Sequence, residues 1–396
     1  MRESLYLLLI LCISGLLLVY GVHTLSISYD EADIFFNGTT LVHYLTLYST
    51  KFFGQNDLAL RAPFIFFHLL SMIMLYKIGK LILKRRLDRI LCVAIYALLP
   101  GVNSVALFVN SGSIVIFFTL LFVYLYMREF KIGAYLVLIV SLFIDNSFII
   151  LYVALFFYAL FNRKKELLVL TLILFSLSLY IYGYNTGGKP KGYFLDTVGV
   201  YAIIFSPFVF LYFVYALYRI LIKEEKNILW YISFFSLLFS LLLSLRQKLM
   251  LEDFAPFVVL AIPLMIKVFF NSYRVRLPQF RKYHNAIFSF VIITLVFNTG
   301  ISFLNQPLYA LMHDPSKHFA INYHIAKELA VELKKLGITK VNVKDSKMAL
   351  RLQFYGIQSD DSYRLTNTKE VEGYQDKIDI IYYGVTVKTF YVYKIS

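Results

Sequence analysis

Three carboxylates stand within four residues in Ser28-Tyr29-Asp30-Glu31-Ala32-Asp33. A carboxylate fixed at a surface can take the proton of an attacking hydroxyl or hold a metal ion. Ser28-x-x-Glu31 also has the form of a capping box, in which the serine and the glutamate satisfy each other's backbone donors at a helix start. On that reading Glu31→Gln should cost little. Asp30 falls in the first turn of the same helix, where the helix dipole favours its charged form, and Asp33 faces solvent. Asp30 is thus the candidate catalytic carboxylate, with Glu31 beside it.

A second constellation is basic. Arg61 follows Asn56-Asp57, and Arg246-Gln247-Lys248 opens a turn that includes Glu252-Asp253. Lys189 and Lys191 flank Pro190. Arg and Lys bind phosphate through charge-assisted hydrogen bonds, so Arg246, Lys248 and Arg61 are candidates for a phosphate clamp. The competing reading is that their aliphatic stems lie along apolar surface while the charges reach water. Asp145-Asn146-Ser147 separates two short apolar runs. Asp145 either faces a hydrated cavity or is a plain turn residue.

The elements that must carry these groups are set by composition. The 396 residues are 59% hydrophobic and only 16% charged, with 38 Phe, 32 Tyr and one Trp. Average globular chains are about 45–50% apolar and about 25% charged. The mean hydropathy is +0.69. A cytosolic enzyme, a disordered scaffold and a fibrous protein are excluded, and a polytopic helical membrane protein is indicated. The net charge of +15 is not a nucleic-acid signature, because short basic clusters alternate with long charge-free apolar runs. Cys12 and Cys92 lie inside such runs and form no disulfide or zinc framework.

A helix needs about 20 apolar residues to cross the hydrocarbon core. Eleven runs approach this: Leu5–Val22, Ala62–Lys80, Ile90–Val109, Ile114–Met127, Ile132–Ile144, Phe148–Phe161, Leu167–Tyr182, Tyr201–Tyr218, Ile228–Leu245, Phe254–Phe270 and Ala286–Leu304. Gly21-Val22-His23 is a poor cleavage site, so the first run reads as a span rather than a signal peptide. One set of connections carries 20 Lys and Arg and the opposite set 6. By the positive-inside rule the N-terminus is expected in the cytoplasm and the tail outside. The chain then divides into a transmembrane module, 1–304, with a first outward loop at about 23–60, and a soluble extracytoplasmic α/β domain, 305–396. Within the tail, Ile321, Ile325, Leu329, Leu333 and Leu336 predict an amphipathic helix over Lys317–Leu336, stopped by Gly337. Lys340–Val343, Ile378–Tyr383 and Val387–Ile395 read as strands and Ser346–Tyr355 as a helix. His313, His318 and His324 read as surface histidines, since no carboxylate accompanies them at ligand spacing.

The order of these features resembles the GT-C membrane glycosyltransferases, specifically the protein O-mannosyltransferase and aminoarabinose-transferase-like group. One span precedes an outward loop that opens with Tyr29-Asp30-Glu31-Ala32. His43-Tyr44-Leu45 follows. Then comes Phe53-Gly54-x-x-Asp57-x-Ala59-x-Arg61-x-Pro63 at the start of the second span, and a many-span bundle ends in a small domain. The likeness is best over residues 5–160. It implies a GT-C-like fold and an inverting transfer of a sugar from a polyprenyl-phosphate donor. Asp30 is the position that matches the catalytic carboxylate, and Arg and Lys at the membrane surface hold the donor phosphate. Some members use a divalent metal ion, so a metal is left open. Many relatives place a second acidic residue in the next outward loop. Here that loop reads Asn110-Ser111-Gly112-Ser113, so either Asp145 or Asp196 takes its place or no second carboxylate is needed.

The expected activity is therefore transfer of a sugar to a lipid, glycan or protein acceptor on the outer face of a bacterial inner membrane. The partners are the lipid-linked donor, membrane lipids and an unidentified acceptor, with no nucleic acid. Two other classes fit a polytopic chain. A flippase or transporter of lipid-linked sugars would place ionisable groups within spans and show repeated halves; here the charges sit at span ends, only Lys267 falls inside a run, near its cytoplasmic end, and no repeat is visible. A membrane scaffold of envelope glycan assembly would bind a partner through the tail.

Overall fold

The computed structural model describes residues 2–183, 192–368 and 373–394. Lys189, Pro190 and Lys191 lie outside the described residues. The contacts divide the chain into two compact units. One is Met1–Gly15, Phe64–Ala106 and Ser111–Thr299; the other is Leu16–Pro63, Leu107–Asn110 and Gly300–Ser396. Contacts thus cut the chain elsewhere than at residue 304.

In chain order the helices are α1 (Arg2–Thr24), α2 (Tyr29–Asn37), α3 (Leu41–Phe53), α4 (Asp57–Ile82), α5 (Arg86–Leu98), α6 (Pro100–Leu107), α7 (Gly112–Met127), α8 (Lys131–Ser141), α9 (Phe148–Phe161), α10 (Lys165–Tyr182), α11 (Phe194–Phe205), α12 (Pro207–Lys223), α13 (Ile228–Ser244), α14 (Ala255–Val258), α15 (Ile262–Val275) and α16 (Pro278–Phe303). Each of the eleven apolar runs is helical. Among the described residues, five helical stretches are long and apolar enough to cross a membrane, or seven if each of two bent pairs counts as one span; four more apolar helices have 11–17 residues.

Two runs expected as single spans are broken, both at proline. Ile90–Val109 bends by 60° between α5 and α6 at Pro100, and Tyr201–Tyr218 bends by 105° between α11 and α12 at Pro207. Proline lacks the N–H that would continue the helix, and it pushes the residue before it out of helical backbone. Leu99 is accordingly extended and Ser206 sits at φ 70°.

The first unit packs through small residues. Ser233, Ser236, Ser240 and Ser244 recur along one face of α13 and are fully buried, the kind of stripe that lets helices approach closely where lipid supplies no hydrophobic drive. Ser240 accepts a hydrogen bond from Tyr201 (2.9 Å), and the Ser233 hydroxyl donates to the Phe257 carbonyl (3.0 Å).

The second unit ends in a small α/β fold. Helices α17 (Ala326–Lys335) and α18 (Ser346–Phe354) pack on a four-stranded sheet of order β1-β2-β4-β3, with β1 (Asn342–Val343), β2 (Tyr363–Thr366), β3 (Asp376–Tyr382) and β4 (Val385–Lys394). β1 and β2 run parallel, and β4 is antiparallel to both β2 and β3. The β3–β4 hairpin turns on Tyr383 and Gly384, both at positive φ, which suits a two-residue turn. The sequence reading missed β2, a strand of only four residues. The expected helix over Lys317–Leu336 is halved. Two short turns, Pro315–Lys317 and Ile321–Tyr323, replace its first part, and Ile325 at φ 80° admits the chain to α17. The side chains of His318 and His324 are buried there. Gly337, at φ 74°, stops the helix as expected.

Candidate active site

The capping box read from the sequence is formed. Ser28 Oγ accepts from the Glu31 N–H (3.2 Å), and Glu31 Oε2 accepts from the Ser28 N–H (2.9 Å). Glu31 does more than cap. Arg61 Nε donates to Oε1 (3.0 Å) and Arg61 Nη2 to Oε2 (2.8 Å), while the Val109 N–H donates to Oε1 (3.1 Å). Four donors thus fill the carboxylate, and both charged side chains are almost wholly buried. Arg61 also donates to the carbonyls of Leu25 and Ser26. The expectation that Arg61 holds a donor phosphate is therefore revised. Its guanidinium is buried and committed within the protein, and so is the Glu31 carboxylate.

These bonds fix the strap that leads into α2. The Ser26 N–H donates to the Tyr323 carbonyl (2.7 Å), and the Ile27 N–H to the Tyr355 hydroxyl (2.8 Å). Arg351, itself buried, donates from Nε to the Ile27 carbonyl (2.7 Å), and from Nη2 to Ser26 Oγ (3.1 Å) and the His324 carbonyl (2.7 Å). The Tyr355 hydroxyl passes its proton's bond to Asp57 Oδ1 (2.6 Å), and Lys327 pairs with Asp57 Oδ2 (2.9 Å). Burial, and then the Asp57 charge, hold the Tyr355 phenol well above its ordinary pKa, so it stays protonated. From Leu25 to Ser28 every backbone N–H is hydrogen-bonded.

What that strap presents is Asp30. It lies exposed in the first turn of α2 and makes no hydrogen bond or ion pair among the described residues. Asp33, one turn on, accepts from Asn37 Nδ2 (2.8 Å), and His43 Nδ1 bonds the Ile34 carbonyl (2.9 Å). Asp30 is thus the one carboxylate of the cluster that is both solvent-facing and uncommitted. A positioned carboxylate of this kind can accept a proton.

His318 and His324, expected at the surface, are buried; His313 is exposed. His318 Nδ1 accepts from the Ala320 N–H (3.1 Å), so its Nε2 carries the proton given to the Asn305 carbonyl (3.0 Å). His324 Nε2 meets Asn305 Oδ1 (3.1 Å) and Nδ1 meets the Tyr309 hydroxyl (2.8 Å). Because the Asn305 amide nitrogen donates to the Ser302 carbonyl, its oxygen is an acceptor here and His324 also carries its proton on Nε2. Burial first, then the charges of His318 and Arg351, lower the His324 pKa to about 4. No group of three or more His, Cys, Asp or Glu among the described residues could hold a metal ion. The acidic cluster does not fit one, because Glu31 is filled by Arg61 and backbone donors.

The remaining candidates belong to the first unit. Arg246 and Lys248 are exposed beyond the end of α13. Lys248 lines a cavity of about 510 Å³ with Gln247, Asp253, Asn146 and Ser147 at its polar part and Phe175, Phe239 and Leu243 among its apolar walls. Asp145 caps its own turn, accepting from the Ser147 N–H (2.8 Å). Asp196 is exposed in the first turn of α11. The residue that spacing did not single out is Asp253. Burial, then the charges of Asp145 and Glu252, push its carboxyl up to about 6. Only the fold brings Asp145 and Asp253 together, across 108 residues.

Among solved structures, the chain is similar in fold to those of ArnT from Cupriavidus metallidurans. In the apo state the TM-score is 0.53 at 11% identity, covering 90% of this chain and 75% of that one. Bound to undecaprenyl phosphate the TM-score is 0.52 at 13% identity, covering 89% and 75%. No protein-family model and no curated protein sequence matches the chain.

Proposed function

We propose that the protein is a membrane glycosyltransferase that moves a sugar from a polyprenyl-phosphate donor to an acceptor, with inversion, on the outer face of a bacterial inner membrane. The carrying observation is Asp30: an uncommitted carboxylate on a helix whose incoming backbone is fixed by Arg61, Arg351, Tyr355 and Tyr323. The ArnT likeness supports the fold that such chemistry uses, and one of those structures is bound to undecaprenyl phosphate.

Asp30 takes the proton of the acceptor hydroxyl as the hydroxyl attacks the anomeric carbon. The sugar–phosphate bond breaks on the opposite side, and the polyprenyl phosphate leaves with the bonding electrons. Charge grows on that phosphate, and a fixed cation stabilises it most where water is excluded. Within the first unit, Lys248 and Arg246 are the cations proposed for that role, Lys248 on a cavity with apolar walls. The phenyl and isobutyl walls suit a prenyl chain. Glu31 and Arg61 are positioning residues that hold the α2 start. Residues 1–304 form the membrane module, with the N-terminus cytoplasmic, and 305–396 the extracytoplasmic part.

The test is mass-spectrometric profiling of envelope glycolipids in a deletion strain, restored with wild type or Asp30→Asn. Loss of one sugar modification, recovered only by wild type, is expected. An unchanged profile with an intact lipid-linked donor pool overturns the transferase, and accumulation of that donor on the cytoplasmic face would identify a flippase instead.

A further inference from the structure

A second cavity, of about 450 Å³, opens within the first unit between α5, α12, α15 and α16. Its walls are aromatic and aliphatic along most of their length: Phe208 and Leu211 from α12, Phe269 from α15, Phe288 and Ile292 from α16. Its polar lining gathers where α12 and α15 end and α16 begins. Arg219 stands in the last turns of α12, Arg276 directly follows α15, and His284 is in the second turn of α16. The cavity is thus apolar at one end and cationic at the other. Phe208 and Arg219 are eleven residues apart on one helix, roughly 16 Å at about 1.5 Å per residue.

The surrounding charges show which cations are available. Arg274 is spent on Asp88, with Nη2 bonded to both carboxylate oxygens (2.5 and 2.6 Å). Arg281 donates to the carbonyls of Arg276 and Arg274. Lys267 pairs with Glu224 (3.7 Å). Arg219 and Arg276 have no ion-pair partner among the described residues, and Arg219 Nε is buried with no hydrogen-bond partner. A buried guanidinium nitrogen without an acceptor is costly. The side chains that wall the cavity supply no carboxylate to meet it. An external anion would.

We propose that this cavity binds an anionic phospholipid, its phosphate held by Arg219 and Arg276 and one acyl chain lying along Phe208, Leu211 and Phe288. Basic pockets between membrane helices recognise phospholipid headgroups in this way. Leu211, Ile287 and Phe290 beside the opening are exposed, which gives a chain lateral access from the bilayer. Moving a chain from lipid into an apolar cavity gains little, since the two media are alike. Selectivity must therefore come from the headgroup charge. The site is separate from the Lys248 cavity and does not depend on the transferase reading.

The experiment is native mass spectrometry of the full-length protein in detergent, titrated with dioleoyl phosphatidylglycerol, dioleoyl phosphatidylcholine, undecaprenyl phosphate or inorganic phosphate. Phosphatidylglycerol should bind at least about tenfold better than phosphatidylcholine, and Arg219→Gln/Arg276→Gln should abolish that preference, as expected when charge-assisted bonds to phosphate are lost. Inorganic phosphate should not displace the bound lipid. Equal binding of both phospholipids, an unchanged double variant, displacement by phosphate, or a preference for undecaprenyl phosphate that the double variant loses would each overturn the proposal. If the variant fails to fold, the wild-type preference between the two phospholipids decides alone.

Discussion

Asp30 and Glu31 are neighbours in sequence and opposites in environment. Asp30 is exposed and uncommitted, whereas Glu31 is buried on four donors. Asp30→Asn keeps the size but removes the proton-accepting charge. General-base catalysis contributes about 10²–10⁴-fold, so sugar transfer should fall by at least about 10²-fold. Folding should survive, because a first-turn carboxylate contributes only about 0.3–1 kcal/mol through the helix dipole. Transfer from a purified polyprenyl-phosphate sugar, with membrane insertion checked in parallel, decides this; a fully active Asp30→Asn protein removes the base. Glu31→Gln reverses the expectation drawn from the capping box alone. The amide can still cap Ser28, but it leaves Arg61 as an unpaired buried charge, and breaking such a pair costs about 3–5 kcal/mol. Glu31→Gln should therefore lower the yield of folded protein or its melting temperature sharply, measured in detergent. A Glu31→Gln protein as stable as wild type would show the ion pair to be dispensable.

At the scale of elements, the strap before α2 is held by groups that the chain supplies more than 290 residues later. Tyr355→Phe removes the acceptor of the Ile27 N–H and the donor to Asp57. A buried donor left unmet costs about 1–3 kcal/mol. Because the strap aims Asp30, turnover should fall more than donor KM rises; a pure KM effect would separate the strap from Asp30. The histidines beneath α17 set a pH dependence. The His324 pKa is about 4 in the fold, against about 6.5 when unfolded. Between these values the unfolded chain binds the extra proton. Stability is therefore full above about pH 6.5 and is lost as pH falls toward about 4, at up to about 1.4 kcal/mol per pH unit. Thermal unfolding from pH 7 to 4.5 should show this slope, and His324→Gln should flatten it. A slope that survives His324→Gln would assign it to other groups.

For the whole molecule, the basic residues predict a cytoplasmic N-terminus and an outer C-terminus. An alkaline phosphatase fused after Lys394 should be active, and a cytoplasmic reporter at the same place silent. The reverse pair of results would turn the map over and place Asp30 on the wrong face for a lipid-linked donor on the outside. The likeness to ArnT, at 11–13% identity, carries architecture and not residue roles.

The sequence alone determined the things that are local. Apolar runs marked each of the eleven helical segments, though only five to seven stretches among the described residues are long and apolar enough to cross a membrane. Ser28-x-x-Glu31 determined a capping box, because its partners are three residues apart. Asp30 was legible as a first-turn carboxylate for the same reason. Gly337 marked a helix end because it alone takes φ 74° without strain. Partnerships across long separations were left to the tertiary structure. Nothing near Arg61 in the chain says that Glu31, thirty residues earlier, will take its guanidinium, or that Val109 will supply the fourth donor. Histidines 318 and 324 read as polar surface residues until Asn305 and Tyr309 closed over them. Asp253 read as a turn residue until Asp145 came beside it. Ile90–Val109 and Tyr201–Tyr218 read as single spans through Pro100 and Pro207, and neither the breaks nor the turns of 60° and 105° were expected. Those angles depend on the side chains the next helix packs against, and packing is a property of the fold and not of the run.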